Sequence, residues 1–199
     1  STRAGLTPDQ QRYLEQISES SSKMRDIINE LLNITKLESG KELQIIRTPE
    51  NITNLVKDVI DDQKIIASRK QVTVNLTANS NEDLILPVDK EKVRQVLMNL
   101  LNNAIKYSPP SSTVEVREWS DAQNFYLEVK DKGIGIPDDQ KEHIFEKFFR
   151  AENAVKALTE GTGLGLYVCR EMALAHNGDV TFDSHVNEGS TFTLRLPLT

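Results

Sequence analysis

The stretch Asn99-Leu100-Leu101-Asn102-Asn103-Ala104-Ile105-Lys106-Tyr107-Ser108 decides how this chain is read. Asp89 offers an N-cap ahead of it, and the helix this predicts runs to about Tyr107. On such a helix Asn99, Asn103 and Lys106 share one face and Tyr107 lies at its end, flanked by the apolar Val96, Leu100 and Ile105. Asparagine amides and a lysine on one face are unusual for a core helix. An amide oxygen is a hard ligand suited to Mg²⁺ held on phosphate oxygens, and an ammonium suits a phosphate. The plain alternative is a solvated polar face in which the asparagines act as local caps.

Three further signatures follow in order. They are Asp131-Lys132-Gly133-Ile134-Gly135-Ile136-Pro137, Phe145-Glu146-Lys147-Phe148-Phe149-Arg150, and Gly161-Thr162-Gly163-Leu164-Gly165-Leu166. Asp131 ends a predicted strand. A carboxylate there can accept a hydrogen bond from an adenine amino group, which guanine does not offer at that position. Gly133 and Gly135 allow the backbone close to a ligand, although Asp-x-Gly also marks an ordinary strand-exit turn. At least two of the three phenylalanines read as core. Arg150 reads either as a cation for a phosphoryl group or as a surface ion pair with a nearby glutamate. The glycines from 161 to 165 open a helix continuing through Tyr167, Val168 and Met172, which places unpaired N–H groups and the positive dipole end where phosphates can bind. No Gly-Lys-Ser/Thr follows, so this is not a P-loop, and the spacing also fails Gly-x-Gly-x-x-Gly.

Outward from these segments the pattern is mixed. Pro8 to Glu38 predicts one long helix, with Thr7 as N-cap and Pro8 at its first position. Leu14, Ile17, Ser21, Met24, Ile28 and Leu31 recur at three- and four-residue steps as a coiled-coil-like seam. Ile27, Leu32 and Ile34 widen it towards a bundle face, and Gly40 supplies a stop and hinge. Beyond it, strands are expected over Leu43–Arg47, Val72–Leu76 and Leu84–Val88, with a helix over Asn51–Ser68. Thr113–Glu118 and Phe125–Val129 predict a hairpin across Ser120-Asp121-Ala122-Gln123. Gly163–His176 predicts a helix, and Val180–Asp183 and Thr191–Leu196 the last strands, separated by an Asn187-Glu188-Gly189 turn. Pro137 to Gly161 has little periodicity outside its aromatic cluster, so part of it is expected to be a mobile lid. The fold class expected is α+β, a two-layer α/β sandwich preceded by one long bundle-forming helix.

With 199 residues and a net charge of −6, the chain suits one domain with an appended element, and its acidity argues against nucleic acid or an anionic membrane as the main partner. No apolar run approaches the roughly 20 residues of a membrane span, and Ser1 to Gln11 lacks a signal-peptide core. Cys169 is the only cysteine, so no internal disulfide can form and a reducing cytoplasm is the expected setting. Cys169 itself reads as core. His143 falls on a short helix before the aromatic cluster, and His185 in a polar turn. His176 falls at a helix C-terminus, where a partly charged imidazole is favourable.

In this order the four segments resemble the N, G1, F and G2 boxes of the sensor histidine kinases, and Gly189-Ser190-Thr191-Phe192 resembles a final motif of that family. Residues 1–40, with Leu31-Leu32-Asn33-Ile34-Thr35-Lys36-Leu37-Glu38-Ser39-Gly40, are similar to the second helix of a dimerisation and histidine-phosphotransfer domain. Residues 41–199 resemble the ATP-binding catalytic domain shared with gyrase, the Hsp90 chaperones and mismatch-repair ATPases. The resemblance implies ATP and Mg²⁺ as cofactors. It implies that Asn103 coordinates the metal, Lys106 approaches phosphate, Tyr107 packs beside the nucleoside, and Asn99 and Arg150 take part in catalysis. Asp131 would read adenine, with Gly133, Ile134, Gly135 and Ile136 around it. Gly161, Thr162, Gly163, Leu164, Gly165 and Leu166 would wrap the phosphates, with Thr191 near adenine and Phe192 in the core.

The resemblance also implies transfer of the γ-phosphoryl group to a histidine, relay to a response-regulator receiver domain, and a homodimer through the first helix. No histidine precedes the first box, so the acceptor is expected outside this chain, which reads as part of a longer sensor kinase. Two readings stand beside it: a nucleotide-gated interaction module without catalysis, and an anti-sigma-type protein serine kinase, against which the bundle helix argues.

Overall fold

The computed structural model describes residues 6–7, 9–14, 17–18, 21, 24, 28, 44–78, 84–158 and 161–199. The chain divides into two units, Ser1–Lys41 and Glu42–Thr199. In the first, residues 9–14, 17–18, 21, 24 and 28 are helical. Thr7 caps this helix reciprocally with Gln10: the Gln10 N–H donates to the Thr7 hydroxyl at 3.3 Å, and the Thr7 N–H donates to Gln10 Oε1 at 2.9 Å. Leu14, Ile17, Met24 and Ile28 of the expected seam are all exposed. Leu31, Leu32, Ile34 and the hinge at Gly40 lie outside the described residues. Among the described residues, no helix is long and apolar enough to cross a membrane.

The second unit holds two sheets. β1 (Thr48–Asn51) pairs antiparallel with β3 (Ile85–Val88) as a two-stranded ribbon. β2 (Thr73–Ala78), β4 (Thr113–Ser120), β5 (Asn124–Lys130), β6 (Asp179–His185) and β7 (Gly189–Pro197) form a sheet of order β2-β4-β5-β7-β6. Four helices complete it: α1 (Ile52–Arg69), α2 (Lys90–Tyr107), α3 (Glu152–Ala157) and α4 (Gly165–Ala175), with a 3₁₀ turn over Asp138–His143. Val56 and Val59 of α1, Leu97 and Leu101 of α2, and Val116, Leu127 and Val129 of the sheet line one interior space, so both helices cover the same sheet face. Alternation along β4 and β5 buries Val114, Val116, Phe125, Leu127 and Val129 and turns Glu115, Arg117 and Lys130 outward. This is the expected two-layer sandwich.

Two differences from the sequence-based expectation have clear causes. The strand placed over Leu43–Arg47 begins instead at Thr48, because Thr48 faces Val88 and the partner strand ends there. Asp89, the next residue, is the N-cap of α2, and its Oδ2 accepts the Ile46 N–H at 3.1 Å. β2 pairs parallel with β4, the one parallel pair in a sheet otherwise joined antiparallel, because β3 and α2 intervene as a crossover.

Candidate functional site

The α2 helix places the polar face. Asp89 caps it by accepting the Lys92 N–H at 3.2 Å, and Ser108-Pro109-Pro110 ends it. Val93, Val96, Leu97, Leu100, Leu101, Ala104 and Ile105 are buried, leaving Asn99, Asn103, Lys106 and Tyr107 half-buried. The other end is held from α1: the Lys70 ammonium donates to the carbonyl of Ile105 at 2.9 Å and to that of Lys106. Burial, with Lys106 adding, lowers the Lys70 pKa from its usual value. The pattern of α2 alone gives no hint of Lys70.

Asp131 lies just past the end of β5, and its N–H donates to the Ser190 carbonyl at 2.8 Å. Its Oδ1 accepts the N–H groups of Gly133 at 2.7 Å and Ser190 at 3.2 Å. Its Oδ2 accepts no hydrogen bond from any described residue. Burial pushes this carboxyl up to about 6, against the two N–H donors that favour its ionised form. Gly133 is required by space: a Cβ there would sit 2.7 Å from Asp131 Oδ1 and 2.7 Å from the Tyr107 carbonyl oxygen. Asp131 and Tyr107, far apart in sequence, thus meet at one point. Ile134 and Ile136 are half-buried beside it.

Behind Asp131 lies a buried pair that sequence reasoning missed. Ser184 Oγ lies 2.8 Å from Ser190 Oγ and 3.0 Å from the Gly189 carbonyl, and accepts the Ile136 N–H at 2.9 Å. Ser190, not its neighbour Thr191, touches Asp131; Thr191 is half-buried opposite Lys130. The signal available was strand alternation, which sends adjacent residues to opposite faces. Phe192 is buried as expected.

The glycine segment meets the α2 face. A Cβ on Gly165 would lie 2.6 Å from Asn99 Nδ2, so the first residue of α4 abuts Asn99. A Cβ on Gly161 would lie 3.4 Å from both Lys106 Nζ and Arg150 Nε, which brings two cations and the segment together. Thr162 accepts the Leu164 N–H at 3.3 Å, and Leu164, buried, precedes Gly165 and Leu166, whose N–H groups open the helix. The helix begins at Gly165 and not at Gly163, where φ is +72°.

Arg150 lies beside the glycine segment. Its guanidinium donates to the carbonyls of Ala154 at 3.3 Å, Leu158 at 2.5 Å and Gly161 at 3.5 Å, closing the C-terminus of α3. The aromatic cluster departs from the core reading. Phe145 and Phe149 are half-buried, Phe148 is exposed with φ +64°, and Ile144 supplies the buried contact. Phe145 packs edge-on to Phe182 and under Arg170, the latter ion-paired with Asp179. Pro137–Gly161 contains more local order than its weak periodicity suggested, since Asp138–His143 and Glu152–Ala157 are both helical.

The histidines separate sharply. His143 is exposed and paired with Glu146, which raises its pKa, and His185 ends β6 on the surface. His176 corrects the sequence expectation of a partly charged imidazole. It is buried, burial lowers its pKa against the opposing Met172 carbonyl, and both ring nitrogens are engaged by backbone. Cys169 is core as expected.

The protein family described as histidine kinase-, DNA gyrase B- and HSP90-like ATPase matches residues 88–199. The circadian input-output histidine kinase CikA of Synechococcus elongatus is 31% identical, the match covering 96% of this chain and 26% of that protein. The sensor histidine kinase WalK of Bacillus subtilis is 34% identical over 94% of this chain and 30% of its own length. The chain therefore spans about a quarter to a third of these relatives. Among solved structures, the catalytic domain of histidine kinase ThkA superposes with a TM-score of 0.68 at 27% identity, covering 77% of this chain and 98% of that one. A structure of ThkA with response regulator protein TrrA shares the fold, with a TM-score of 0.72 at 24% identity over 100% of this chain and 53% of that one.

Proposed function

We propose a function from one premise: the chain belongs to the histidine kinase-, DNA gyrase B- and HSP90-like ATPase family. Within that family it is the ATP-binding catalytic region of a sensor histidine kinase. It transfers the γ-phosphoryl group of ATP to a histidine outside this chain, for relay to an aspartate on a receiver domain. The observation that carries this reading is the Asp131 carboxylate, buried with Oδ1 fixed by two N–H groups and Oδ2 left without a donor. The residue is buried but Oδ2 is open to a ligand, and the amino group of adenine supplies a donor for it where guanine presents a carbonyl oxygen.

The other residues take roles around that anchor. Tyr107 and Ile134 border the nucleoside. Lys106, the glycine segment and the N-terminus of α4 receive phosphates. Asn103 makes no side-chain hydrogen bond to a described residue, so its amide oxygen can serve as one ligand of a Mg²⁺ carried mainly by phosphate and water. Among the described residues, no cluster of three His, Cys, Asp or Glu could hold a metal without the nucleotide. Bound there, Mg²⁺ would neutralise phosphate charge. Arg150 ties α3 to the glycine segment and so sets where the lid closes, and Asn99 fixes α4. Catalysis is then mainly positioning and charge stabilisation.

ThkA is known in a complex with a response regulator protein, TrrA, and the proposed partner of this chain is a protein of that class. The exposed seam of the first unit fits dimerisation of the full protein.

The test is thermal unfolding of wild type and Asp131→Ala with Mg²⁺-ADP, using Mg²⁺-GDP as control. A ligand at about 100 times its Kd should raise Tm by roughly 5–10 °C. The shift should be specific to ADP and absent in the variant. An equal shift with GDP would refute the adenine assignment. Incubation with Mg²⁺-ATP and a polypeptide carrying an acceptor helix should then give phosphohistidine; binding without transfer would leave a nucleotide-gated module instead.

A further inference from the structure

α2 and α4 are joined at three points along opposite directions. Gly165 abuts Asn99, Cys169 Sγ lies 3.8 Å from the Val96 carbonyl, and His176, just past α4, reaches Asp89 at the start of α2. The last junction is specific in its chemistry. His176 Nδ1 lies 2.7 Å from the Met172 carbonyl oxygen, and Nε2 lies 3.0 Å from the Asp89 backbone nitrogen. A carbonyl can only accept, so Nδ1 carries the proton; a backbone N–H can only donate, so Nε2 is bare. The ring is neutral in one tautomer, and an imidazolium would set two N–H groups against each other.

More converges on the same point. The Asp89 carboxylate accepts the N–H groups of Lys92 and Ile46, and the Arg47 guanidinium donates to the Ala175 carbonyl at 3.4 Å. The cap of α2, the end of α4 and the segment leading into β1 therefore meet around one imidazole. Arg47 and Asp89 are the charged groups acting on it: Arg47 adds to the effect of burial, while the Met172 carbonyl and Asp89 oppose it.

We infer that His176 is a positioning residue for the nucleotide site, a neutral latch that locks the end of α4 onto the cap of α2 and so sets how the glycine segment meets Asn99 and Lys106. α4 acts as a short rigid rod, so a tilt released at His176 appears at Gly165, where contact with Asn99 leaves no slack. The inference rests on the nucleotide reading proposed above.

It is tested by titrating Mg²⁺-ADP into wild type, His176→Ala and His176→Gln between pH 5 and 8, with ¹⁵N–¹H spectra of the histidine rings. His176→Ala should weaken binding about five- to tenfold at pH 7.5. Glutamine can accept the Asp89 N–H and does not titrate. His176→Gln should therefore restore most of the affinity and lose the part of the acid weakening that belongs to His176, while the Asp131 part persists. The spectra should show the proton on Nδ1 and none on Nε2 down to a pH below the ordinary histidine range. Unchanged affinity in His176→Ala, or a proton on Nε2 at neutral pH, would overturn the latch. If the alanine variant fails to fold, superimposable pH profiles for wild type and His176→Gln would do the same. Failure of wild type to bind Mg²⁺-ADP is a separate outcome, which would remove the nucleotide site itself and the latch with it.

Discussion

On the floor of the site, Asp131 follows a strand whose neighbours are paired residue by residue, and Ser190 and Ser184 behind it are sealed from solvent. Across from it, Asp138–His143 and α3 bury no residue of their own. Ile144 and Ala151, between these two elements, are the buried apolar residues of the lid, and a few polar links add to them. Asn153 Nδ2 donates to the carbonyls of Ile134 at 3.3 Å and Gly135 at 2.8 Å, and Gln140 Oε1 accepts the Glu152 N–H at 2.9 Å. The floor is thus a by-product of the core and shares its stability. With fewer buried residues than the floor, the lid is expected to open at lower cost.

The strongest way to break this contrast is a pair of glycine substitutions. Gly135 has φ +63°, and a Cβ there would lie 1.9 Å from the backbone oxygen of His185. His185 ends β6 and its backbone is paired there, so it cannot move aside, and Gly135→Ala should cost more than about 3 kcal/mol in denaturant unfolding. Gly161 has φ +144°, but the nearest atoms are the ends of Lys106 and Arg150 at 3.4 Å. Gly161→Ala should cost about 1–2 kcal/mol and show mainly as weaker Mg²⁺-ADP binding, since it crowds both cations. Equal loss of stability from the two would mean the lid is as deeply built as the floor.

A second experiment sharpens the price of the floor. Asp131 titrates at about 6 when folded, above its value of 3.8 in a free chain. The folded state therefore binds a proton first as pH falls from 7 to 4, and stability from this group rises over that window. It is fully present below 3.8 and lost as pH rises through 6. At pH 8 the ionised, buried carboxylate costs on the order of 2–3 kcal/mol. Asp131→Asn keeps an oxygen for the Gly133 and Ser190 N–H groups and removes the charge. It should be more stable than wild type at pH 8 and no more stable at pH 4, and it should not bind ADP, because its NH₂ would face the adenine NH₂. In wild type, ADP binding near pH 6 should release a proton. A pH-independent gain in Asp131→Asn would remove the burial argument.

The same contrast explains what could be read in the sequence. α1, α2, β4, β5, β6 and β7 follow from periods of 3.6 and 2, and their observed ends fall within three residues of the expected ones. Asn99, Asn103 and Lys106 were legible because helical spacing alone puts them on one face. The lid was not, since Asn153, Gln140 and Arg150 act through backbone carbonyls and single N–H groups that leave no period. Lys70, Ser184 and His176 were missed as participants for a related reason: each works on an element distant in sequence. The parallel pairing of β2 with β4 is likewise a tertiary choice that alternation cannot express.

The smallest effect expected is also the most selective. Asn153→Ala removes two hydrogen bonds between α3 and the Ile134–Gly135 backbone. The Ile134 carbonyl keeps the Asn187 N–H at 3.0 Å, and Asn153 Oδ1 is itself buried without a hydrogen-bond partner. Losing the side chain therefore sheds an unsatisfied acceptor along with two donors, and global stability should fall by less than about 1 kcal/mol. The lid should respond more than the fold. Amides of residues 152–158 should exchange several-fold faster with deuterium while those of β5 and β7 keep their rates, and ADP should bind a few-fold more weakly. Faster exchange in both places would show that α3 supports the sheet, and the distinction between a core-built floor and a polar-linked lid would no longer hold.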